Sequence, residues 1–272
     1  MATATAERLC PGLVLLPVRF ERYEAVTRRL DVIFRRYTSN VEFLSLDEAT
    51  LDVTGQVYCN GSATYMANRI RASIEQKLHL TASAGVAPLK YLAKMASEVN
   101  KPNGQFVIAP HQVQAFLKNL DIRKIPGVGP KTWAVLQALG CTKCADVTDE
   151  MIPALLRHLG AHGFYVWERC RGQESYEGKP GAVQSLGVEH TLPSDCNDFA
   201  CCLRELDELL GTLAKRLEVL GSAPPIVRNQ VKLKFSDFSI ATAEAPALAL
   251  QPQVVRGCLL YTSDAADDTP CV

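Results

Sequence analysis

Apolar residues are concentrated at both ends of Val41–Thr54 (V-E-F-L-S-L-D-E-A-T-L-D-V-T). This pattern predicts a strand, a tight turn and a second strand. Successive side chains of a strand point to opposite faces, so alternate positions should share one face. Those positions are Val41, Phe43, Ser45 and Asp47. Asp47 and Glu48 then fall at the mouth of the turn, where the sequence offers no obvious buried partner.

The periodic pattern continues on both sides of this hairpin. Apolar residues at helical spacing predict helices, and short apolar runs predict strands. The predicted elements are a strand at Leu13–Val18, a helix at Tyr23–Tyr37, a helix after an N-cap at Ser62, a strand at Leu80–Val86, a helix from Pro88 and a strand at Gln105–Ile108. With the hairpin, this order is typical of a ferredoxin-like α+β layer. Polymerases and cyclases share that layer, so the fold alone does not decide the function.

The second half of the chain has a different pattern. Residues 110–176 are predicted to be all-helical, and 177–183 have the composition of a linker. Leucines then recur at alternating steps of three and four, which predicts one long amphipathic helix. They are Leu203, Leu206, Leu210, Leu213, Leu217 and Leu220. In the strand predicted at Val227–Phe235, one face carries Arg228, Gln230, Lys232 and Lys234. Contact with an anionic partner and protection of a sheet edge from aggregation explain this basic face equally well.

Composition narrows the class of protein. With 272 residues, of which 47% are hydrophobic, the chain can form two or three small domains with real cores. The formal net charge of zero means that any contact with a polyanion must come from local basic patches. No apolar run is as long as a membrane span, and no signal-peptide pattern is present. Cys141 and Cys144 form a single C-x-x-C, with His158 and His162 nearby. Reduced structural thiols in a reducing compartment are favoured over a zinc site.

Two places in the sequence suit phosphate chemistry. Adjacent carboxylates repel each other unless a cation neutralises them, and oxygen-only ligands suit Mg²⁺, so Asp47 and Glu48 are candidate metal ligands. An exposed acidic turn is the alternative. In Ile125–Lys131 (I-P-G-V-G-P-K), Gly127 and Gly129 allow backbone amides to approach a phosphate. A helix beginning at Pro130 and the side chain of Lys131 would complete that anion site.

Three blocks stand in a fixed order and spacing. The first is S-L-D-E-A-T-L-D-V-T in the hairpin, the second is Thr81–Ile108, which ends in K-P-N-G-Q-F-V-I, and the third is Ile122–Gly140. Together they resemble the palm hairpin, the next palm segment and the thumb of Y-family (translesion) DNA polymerases. The similarity runs from about Gly12 to about Ala243 and is greatest with the branch of polymerase kappa and bacterial polymerase IV.

The resemblance implies a DNA-directed DNA polymerase that acts in damage bypass and repair. It implies that Asp47 and Glu48 are catalytic and ligate Mg²⁺ in a two-ion site, that Ser45 lines this site, and that Lys101 of K-P-N-G binds the nucleotide triphosphate. It also implies DNA-binding roles, for Gly127, Gly129 and Lys131 in the helix-hairpin-helix, and for Arg228, Lys232 and Lys234 in the little finger. The implied partners are primer–template DNA and deoxynucleoside triphosphates, without a membrane. A sliding clamp would bind through a C-terminal region absent from this sequence.

The resemblance also sets the expected domains. They are a partial palm at 1–109, a thumb at 110–176, a linker at 177–183, a partial little finger at 184–256 and a non-native tail at 257–272. The first palm strand, its metal-bridging aspartate and the fingers are expected to be absent, which would leave the chain nearly inactive. Cys258–Val272 is similar to translated sequencing adapter and is expected to have no fold. The expected location is the nucleus, for a eukaryotic source, or the cytoplasm, for a bacterial one.

Two other functions remain open at this point. A non-catalytic DNA-binding protein would keep the thumb and little finger beside a vestigial palm. A palm-fold nucleotidyl cyclase would share the paired carboxylates but would have no use for the glycine hairpin.

Overall fold

The structure is a computed structural model that describes residues 3–175, 185–192, 194–196, 198–220 and 225–267. For residues 4 and 260–267 it describes the backbone alone. The chain divides into two compact units, Met1–Glu177 and Gly178–Val272. The predicted linker, 177–183, lies outside the described residues.

The first unit contains eight α-helices and four short strands among its described residues. The helices are α1 (Thr3–Leu9), α2 (Phe20–Phe34), α3 (Ala63–Leu78), α4 (Lys90–Val99), α5 (Val113–Lys118), α6 (Pro130–Ala138), α7 (Ile152–Leu159) and α8 (Ala161–Cys170). The strands are β1 (Val41–Phe43), β2 (Ala49–Leu51), β3 (Ala84–Val86) and β4 (Gln105–Val107). Short 3₁₀ turns connect several of these elements.

The predicted hairpin is confirmed as an antiparallel pair of β1 and β2, in which Val41 is opposite Leu51 and Phe43 is opposite Ala49. Helices α2 and α3 pack on it through a core that includes Ile33, Phe34 and Ile74. Helix α3 begins where the sequence predicts, because the Ser62 hydroxyl accepts a hydrogen bond from the Tyr65 amide at 3.2 Å.

The prediction of a strand at Leu13–Val18 is wrong. This segment has no assigned strand, and Val14, Leu16 and Val18 are 69–79% exposed. A strand requires a neighbour that pairs with its backbone N–H and C=O groups. None of the described strands pairs with this segment. The hairpin and the parallel β3–β4 pair are also separate two-stranded sheets, so the described strands do not form the single layer that was expected.

Helix α4 connects the predicted palm to the predicted thumb. Its residues Leu92 and Ala96 are fully buried, and they belong to the same apolar cluster as Ile122 and Leu136 of the helical region. The helix lies so close to β3 that a Cβ on Gly85 would come within 1.9 Å of the Ala93 carbonyl oxygen. The expected boundary between 109 and 110 therefore crosses a continuous core. From 110 to the end of α8 the described chain is helical, as predicted.

The second unit contains α9 (Phe199–Leu220), β5 (Arg228–Lys234), β6 (Ile240–Pro246) and α10 (Pro252–Asp267). The long helix and the basic strand are confirmed. The two strands form an antiparallel sheet, and Leu210 and Val231 belong to the core between this sheet and its helices. Strand β5 alternates as predicted, since Asn229 and Val231 are buried while its basic residues are exposed. Val227, just before the strand, is 72% exposed, so the buried face begins at Asn229, two residues later than expected.

Cys258–Val272 was predicted to have no fold. This prediction is wrong for the residues up to Asp267. Helix α10 runs through this point, and Cys258 and Leu259 are buried in the core of the second unit. With Val255 they are spaced by three and four residues, so they share one helix face.

The described cysteines include both thiols and a disulfide. Cys141 and Cys144 are free and buried, as predicted, and so is Cys170. Cys196 and Cys201, at the start of the second unit, form a disulfide. None of the described helices is both long and apolar enough to cross a membrane.

Candidate active site and nucleic-acid interface

A network centred on Ser45 shapes the tip of the hairpin. The Ser45 hydroxyl donates to Asp47 Oδ1 at 2.6 Å and accepts hydrogen bonds from the amides of Asp47 and Glu48 at 3.3 and 3.1 Å. The Thr27 hydroxyl of α2 donates to the Leu46 carbonyl at 2.7 Å and fixes the turn to that helix. The sequence analysis placed Ser45 and Asp47 on one strand face. Strand β1 ends at Phe43, so both residues lie in the turn instead. They are brought together by a hydrogen bond instead.

Lysines of α4 pair with acidic residues of the hairpin. Lys94 Nζ lies 2.5 Å from Glu48 Oε2, and one helical turn earlier Lys90 forms an ion pair with Glu42 of β1. The sequence analysis did not identify Lys94. The sequence feature that could have identified Lys94 is its spacing of four residues from Lys90, which places both lysines on one face of the helix.

Lys101 follows the end of α4, the helix whose Lys94 contacts Glu48. Its ammonium contacts Glu98 Oε1 at 2.6 Å. That hydrogen bond is the main reason that the pKa of Lys101 is raised above its ordinary value, and the charges of Glu48 and Asp47 raise the pKa further. Asp47, Glu48 and Lys101 make up the candidate cluster, in which Glu98 is the main partner of Lys101 and the charges of Glu48 and Asp47 contribute least to its pKa.

The turn that carries Lys101 is held by Arg71 of α3, which the sequence analysis also missed. The Arg71 guanidinium donates to the Ala82 carbonyl at 2.8 Å and to Asn103 Oδ1 at 2.8 Å, and it also contacts the Asn103 carbonyl. Gly104 is required here, because a Cβ would come within 1.8 Å of the Asn100 carbonyl oxygen. The position of Lys101 is therefore set by β3, α3 and α4 together.

The donor set at the tip fits a magnesium ion. Asp47 is exposed and Glu48 is half-buried, and their oxygens are the ligand type that Mg²⁺ takes alongside substrate phosphates. No group of three or more histidine, cysteine or acidic side chains within the described residues has metal-binding geometry. The two carboxylates thus form an incomplete ligand set, which phosphate or water oxygens would have to complete.

The glycine hairpin precedes α6 as predicted. Gly127 has a φ of +93°, which favours glycine, whereas Gly129 has ordinary extended geometry and a Cβ there would meet nothing within 4 Å. The Val128 amide donates to the Ile125 carbonyl, and the Gly129 amide donates to the Gly127 carbonyl. Helix α6 begins at Pro130 without a side-chain cap, so the amides of Lys131 and Thr132 have no intrahelical acceptor. Such amides can bind an anion.

Basic groups flank this hairpin. Lys131 and Lys124 are exposed. Arg123 lies 5.1 Å from the centre of the Trp133 ring and forms an ion pair with Asp121, which lowers the pKa of that carboxyl to about 2. The hairpin therefore combines open amides with positive charge.

In the second unit, the basic strand face is present as predicted. Arg228 forms an ion pair with Glu244 of β6 at 2.8 Å. The Lys234 ammonium lies 4.5 Å from the centre of the Phe238 ring, and Lys232 is exposed between them. This face belongs to a separate unit.

Family models match most of the chain. The impB/mucB/samB family matches 1–98, the HHH motif of the IMS family matches 111–140, and the impB/mucB/samB family C-terminal domain matches 183–258. The DNA polymerase IV of Yersinia pestis (strain Pestoides F) is 48% identical over 245 residues, which cover 90% of this chain and 70% of that protein.

The chain belongs to the Y-family of DNA polymerases. The DNA polymerase IV of Pectobacterium atrosepticum is 49% identical over the same length. Among solved structures, a Y-family DNA polymerase chimera of Dbh and Dpo4 matches 99% of this chain and 78% of its own, with a TM-score of 0.87 and 27% identity. An insertion ternary complex of Dbh DNA polymerase matches 97% of this chain and 78% of its own, with a TM-score of 0.65 and 27% identity.

These similarities decide several predictions. The Y-family resemblance, the α+β fold class with a helix-hairpin-helix and the function of a translesion DNA polymerase are confirmed. A nucleotidyl cyclase is not supported, because the relatives are DNA polymerases. The two DNA polymerase IV relatives are from bacteria, so a nuclear location is not supported either. The roles of individual residues stay predictions.

Proposed function

We propose that the tip of the β1–β2 hairpin supplies metal-binding carboxylates for magnesium-dependent, template-directed nucleotidyl transfer. The observation that carries this proposal is the geometry at the hairpin tip, where the Ser45 hydroxyl donates to Asp47 at 2.6 Å and Lys94 of α4 contacts Glu48, while Lys101 follows the end of the same helix. Carboxylates hold the metal and a cationic side chain holds phosphate in many phosphoryl-transfer sites. The candidate cluster contains both kinds of group.

Each residue of the cluster has a separate task. Asp47, oriented by the Ser45 hydroxyl, and Glu48 would hold Mg²⁺ through their carboxylate oxygens. When bound, the ion neutralises the negative charge that develops on the phosphate oxygens. Lys101 would turn from Glu98 to the triphosphate, which is possible because both side chains are more than half exposed. A primer 3′-hydroxyl then attacks the α-phosphate, and pyrophosphate leaves.

The DNA contacts are proposed at two separate surfaces. In the first unit, the amides around Gly127 and Gly129 and the Lys131 side chain would bind phosphates of the duplex. In the second unit, Arg228, Lys232 and Lys234 would bind the backbone from the exposed face of β5. Contacts of this kind position a protein on DNA without reading its sequence. The proposed partners are therefore primer–template DNA and deoxynucleoside triphosphates, and the bacterial relatives favour the cytoplasm as location.

The test measures nucleotide binding without requiring turnover. The affinity for a deoxynucleoside triphosphate is measured with primer–template DNA present, with and without Mg²⁺. The variants are Asp47→Asn, Glu48→Gln and Lys101→Ala, and the control is Glu24→Gln, an exposed acid on α2. We expect Asp47→Asn and Glu48→Gln to remove most of the magnesium dependence. Lys101→Ala should weaken nucleotide binding about tenfold, as for a lost charge-assisted contact.

The non-catalytic alternative predicts a different pattern. A DNA-binding protein with a vestigial palm would bind the duplex but show no magnesium-dependent nucleotide binding. Its Asp47→Asn variant would then behave like the wild type. Primer extension, measured beside binding, is abolished by Asp47→Asn only under the proposed function.

A further inference from the structure

Two aromatic side chains of α8 contact backbone carbonyl groups of the glycine hairpin. His162 Nε2 lies 3.1 Å from the Gly127 carbonyl oxygen, and the Tyr165 hydroxyl donates to the Pro126 carbonyl at 3.1 Å. The two rings are stacked, with centres 5.4 Å apart and an angle of 14° between their planes. Two consecutive carbonyls of the hairpin are therefore held by one helix.

From these contacts we propose that His162 and Tyr165 are positioning residues for DNA binding. They fix the hairpin in the shape that directs its amide groups toward the duplex backbone. This inference rests on the proposed function, in which the hairpin binds phosphate.

The geometry of the peptide bond links the carbonyl contacts to the amides. In a trans peptide the C=O and N–H groups point in opposite directions. Because Tyr165 holds the Pro126 carbonyl, the N–H of Gly127 points away from α8. The amides of Val128 and Gly129 have acceptors within the hairpin, whereas that of Gly127 has none among the described residues. The contact with Tyr165 thus directs the open amide of Gly127 outward.

The fit around Gly127 is close enough to fix its orientation. A Cβ at this position would come within 3.2 Å of the Tyr165 ring and 3.3 Å of the His162 ring. The two rings therefore pack directly on the bare backbone of the glycine. A shift of either ring would move the peptide on each side of Gly127.

Tyr165 is itself anchored to the palm. The Cζ atom of Arg169 lies 4.6 Å from the centre of the Tyr165 ring and 4.6 Å from that of the Tyr91 ring on α4. Arg169 is buried and forms an ion pair with Glu174 at 2.7 Å. Helix α4 also carries Lys94, which contacts the proposed metal ligand Glu48. The rings that shape the hairpin are thus tied to the helix beside the active site.

The experiment measures the affinity of the full chain for a fluorescein-labelled primer–template duplex by polarisation. The variants His162→Phe and Tyr165→Phe keep an aromatic ring and remove the contact with a carbonyl. Matched controls are His158→Phe on α7 and Tyr65→Phe on α3, which have no side-chain contact with the hairpin. We expect each test variant to weaken binding about three- to tenfold, as for the loss of one hydrogen bond, and the controls to bind like the wild type. Circular dichroism at the assay temperature verifies that every variant is folded.

The same aromatic substitutions, made in the Lys131→Ala variant, separate an effect on the hairpin from a general effect on packing. In Lys131→Ala, the phosphate contact of the hairpin is already weakened, so adding His162→Phe or Tyr165→Phe should change the affinity less than it does in the wild type. Full additivity would overturn the inference, and so would wild-type affinity in both aromatic variants. If Lys131→Ala itself leaves the affinity unchanged, the hairpin contact of the proposed function fails and the inference falls with it.

Discussion

Lys94 of α4 contacts Glu48 at the tip of the hairpin, with 2.5 Å between Nζ and Oε2. The lysine supplies positive charge to a carboxylate that is proposed to bind Mg²⁺. A metal ion must therefore compete with this ammonium for Glu48 or share the carboxylate with it.

Lys94→Met should increase the affinity for Mg²⁺. A unit charge and a divalent ion about 4 Å apart interact by roughly 2 kcal/mol in a water-like medium, so removal of the lysine charge corresponds to about thirtyfold tighter binding at most. Calorimetric titration of Mg²⁺ measures the change. Lys90→Met is the matched control, because Lys90 is on the same helix but pairs with Glu42, away from the tip. Equal effects of the two variants would contradict a specific contact between Lys94 and the metal site.

The two glycines of the hairpin should respond differently to alanine. Gly127→Ala places a side chain at a φ of +93° and should lower the free energy of unfolding by about 1 kcal/mol or more. Gly129→Ala adds a methyl group in open space and should leave stability within about 0.5 kcal/mol of the wild type. If a phosphate approaches here, Gly129→Ala should still weaken duplex binding. Urea unfolding and duplex polarisation, measured on both variants, test these expectations, and unchanged DNA affinity in Gly129→Ala would argue against a phosphate at this position.

Removal of one partner from the buried pair of Arg169 and Glu174 should strongly destabilise the first unit. The Arg169 side chain is 8% exposed and that of Glu174 is 11% exposed. Arg169→Met leaves an unpaired carboxylate in this environment, which should lower the free energy of unfolding by roughly 3 kcal/mol. Urea unfolding measures the loss. Arg157→Met, at an exposed position of α7, should change stability by less than about 0.5 kcal/mol. Similar changes in the free energy of unfolding for the two variants would show that breaking the buried pair costs no more than replacing an exposed arginine.

Asp146 should make the stability of the thumb depend on pH. Its carboxylate accepts hydrogen bonds from the amides of Lys143 and Thr142 at 2.7 and 2.8 Å, which lowers its pKa. A carboxyl with a lowered pKa in the folded state adds stability above its unfolded value of about 3.9, and this contribution disappears as the pH falls through the folded value. Asp146→Asn should therefore melt at a lower temperature than the wild type at pH 7, and the difference should shrink below about pH 4. A difference that is constant across this range would contradict the linkage.

Local signals in the sequence were sufficient for most helices and for the hairpin. The Ser62 cap, the leucine spacing of α9 and the glycine–proline boundary before α6 each depend on neighbouring residues alone. Leu13–Val18 was predicted wrongly because an apolar run becomes a strand only when another strand pairs with it. Helix α10 was missed although Val255, Cys258 and Leu259 have helical spacing, because the similarity of the following residues to adapter sequence was given more weight.

The site was predictable to a similar degree. Asp47, Glu48 and Lys101 could be selected as candidates because their motifs are short and contiguous, and their roles stay predictions. Lys94 and Arg71 were missed because their partners are 46 and 32 residues away in sequence, and such pairs form only in the folded chain. The contacts of His162 and Tyr165 with the hairpin are of the same kind.

The most direct test of the central claim is a measurement of metal binding at the hairpin tip. Mn²⁺, as a substitute for Mg²⁺, is titrated into the protein with primer–template DNA and a deoxynucleoside triphosphate, and bound Mn²⁺ is followed by electron paramagnetic resonance. The account predicts that Asp47→Asn and Glu48→Gln each weaken Mn²⁺ binding by about tenfold or more, in line with the loss of a charged ligand, while Glu24→Gln has no effect. Wild-type Mn²⁺ affinity in both tip variants would contradict it.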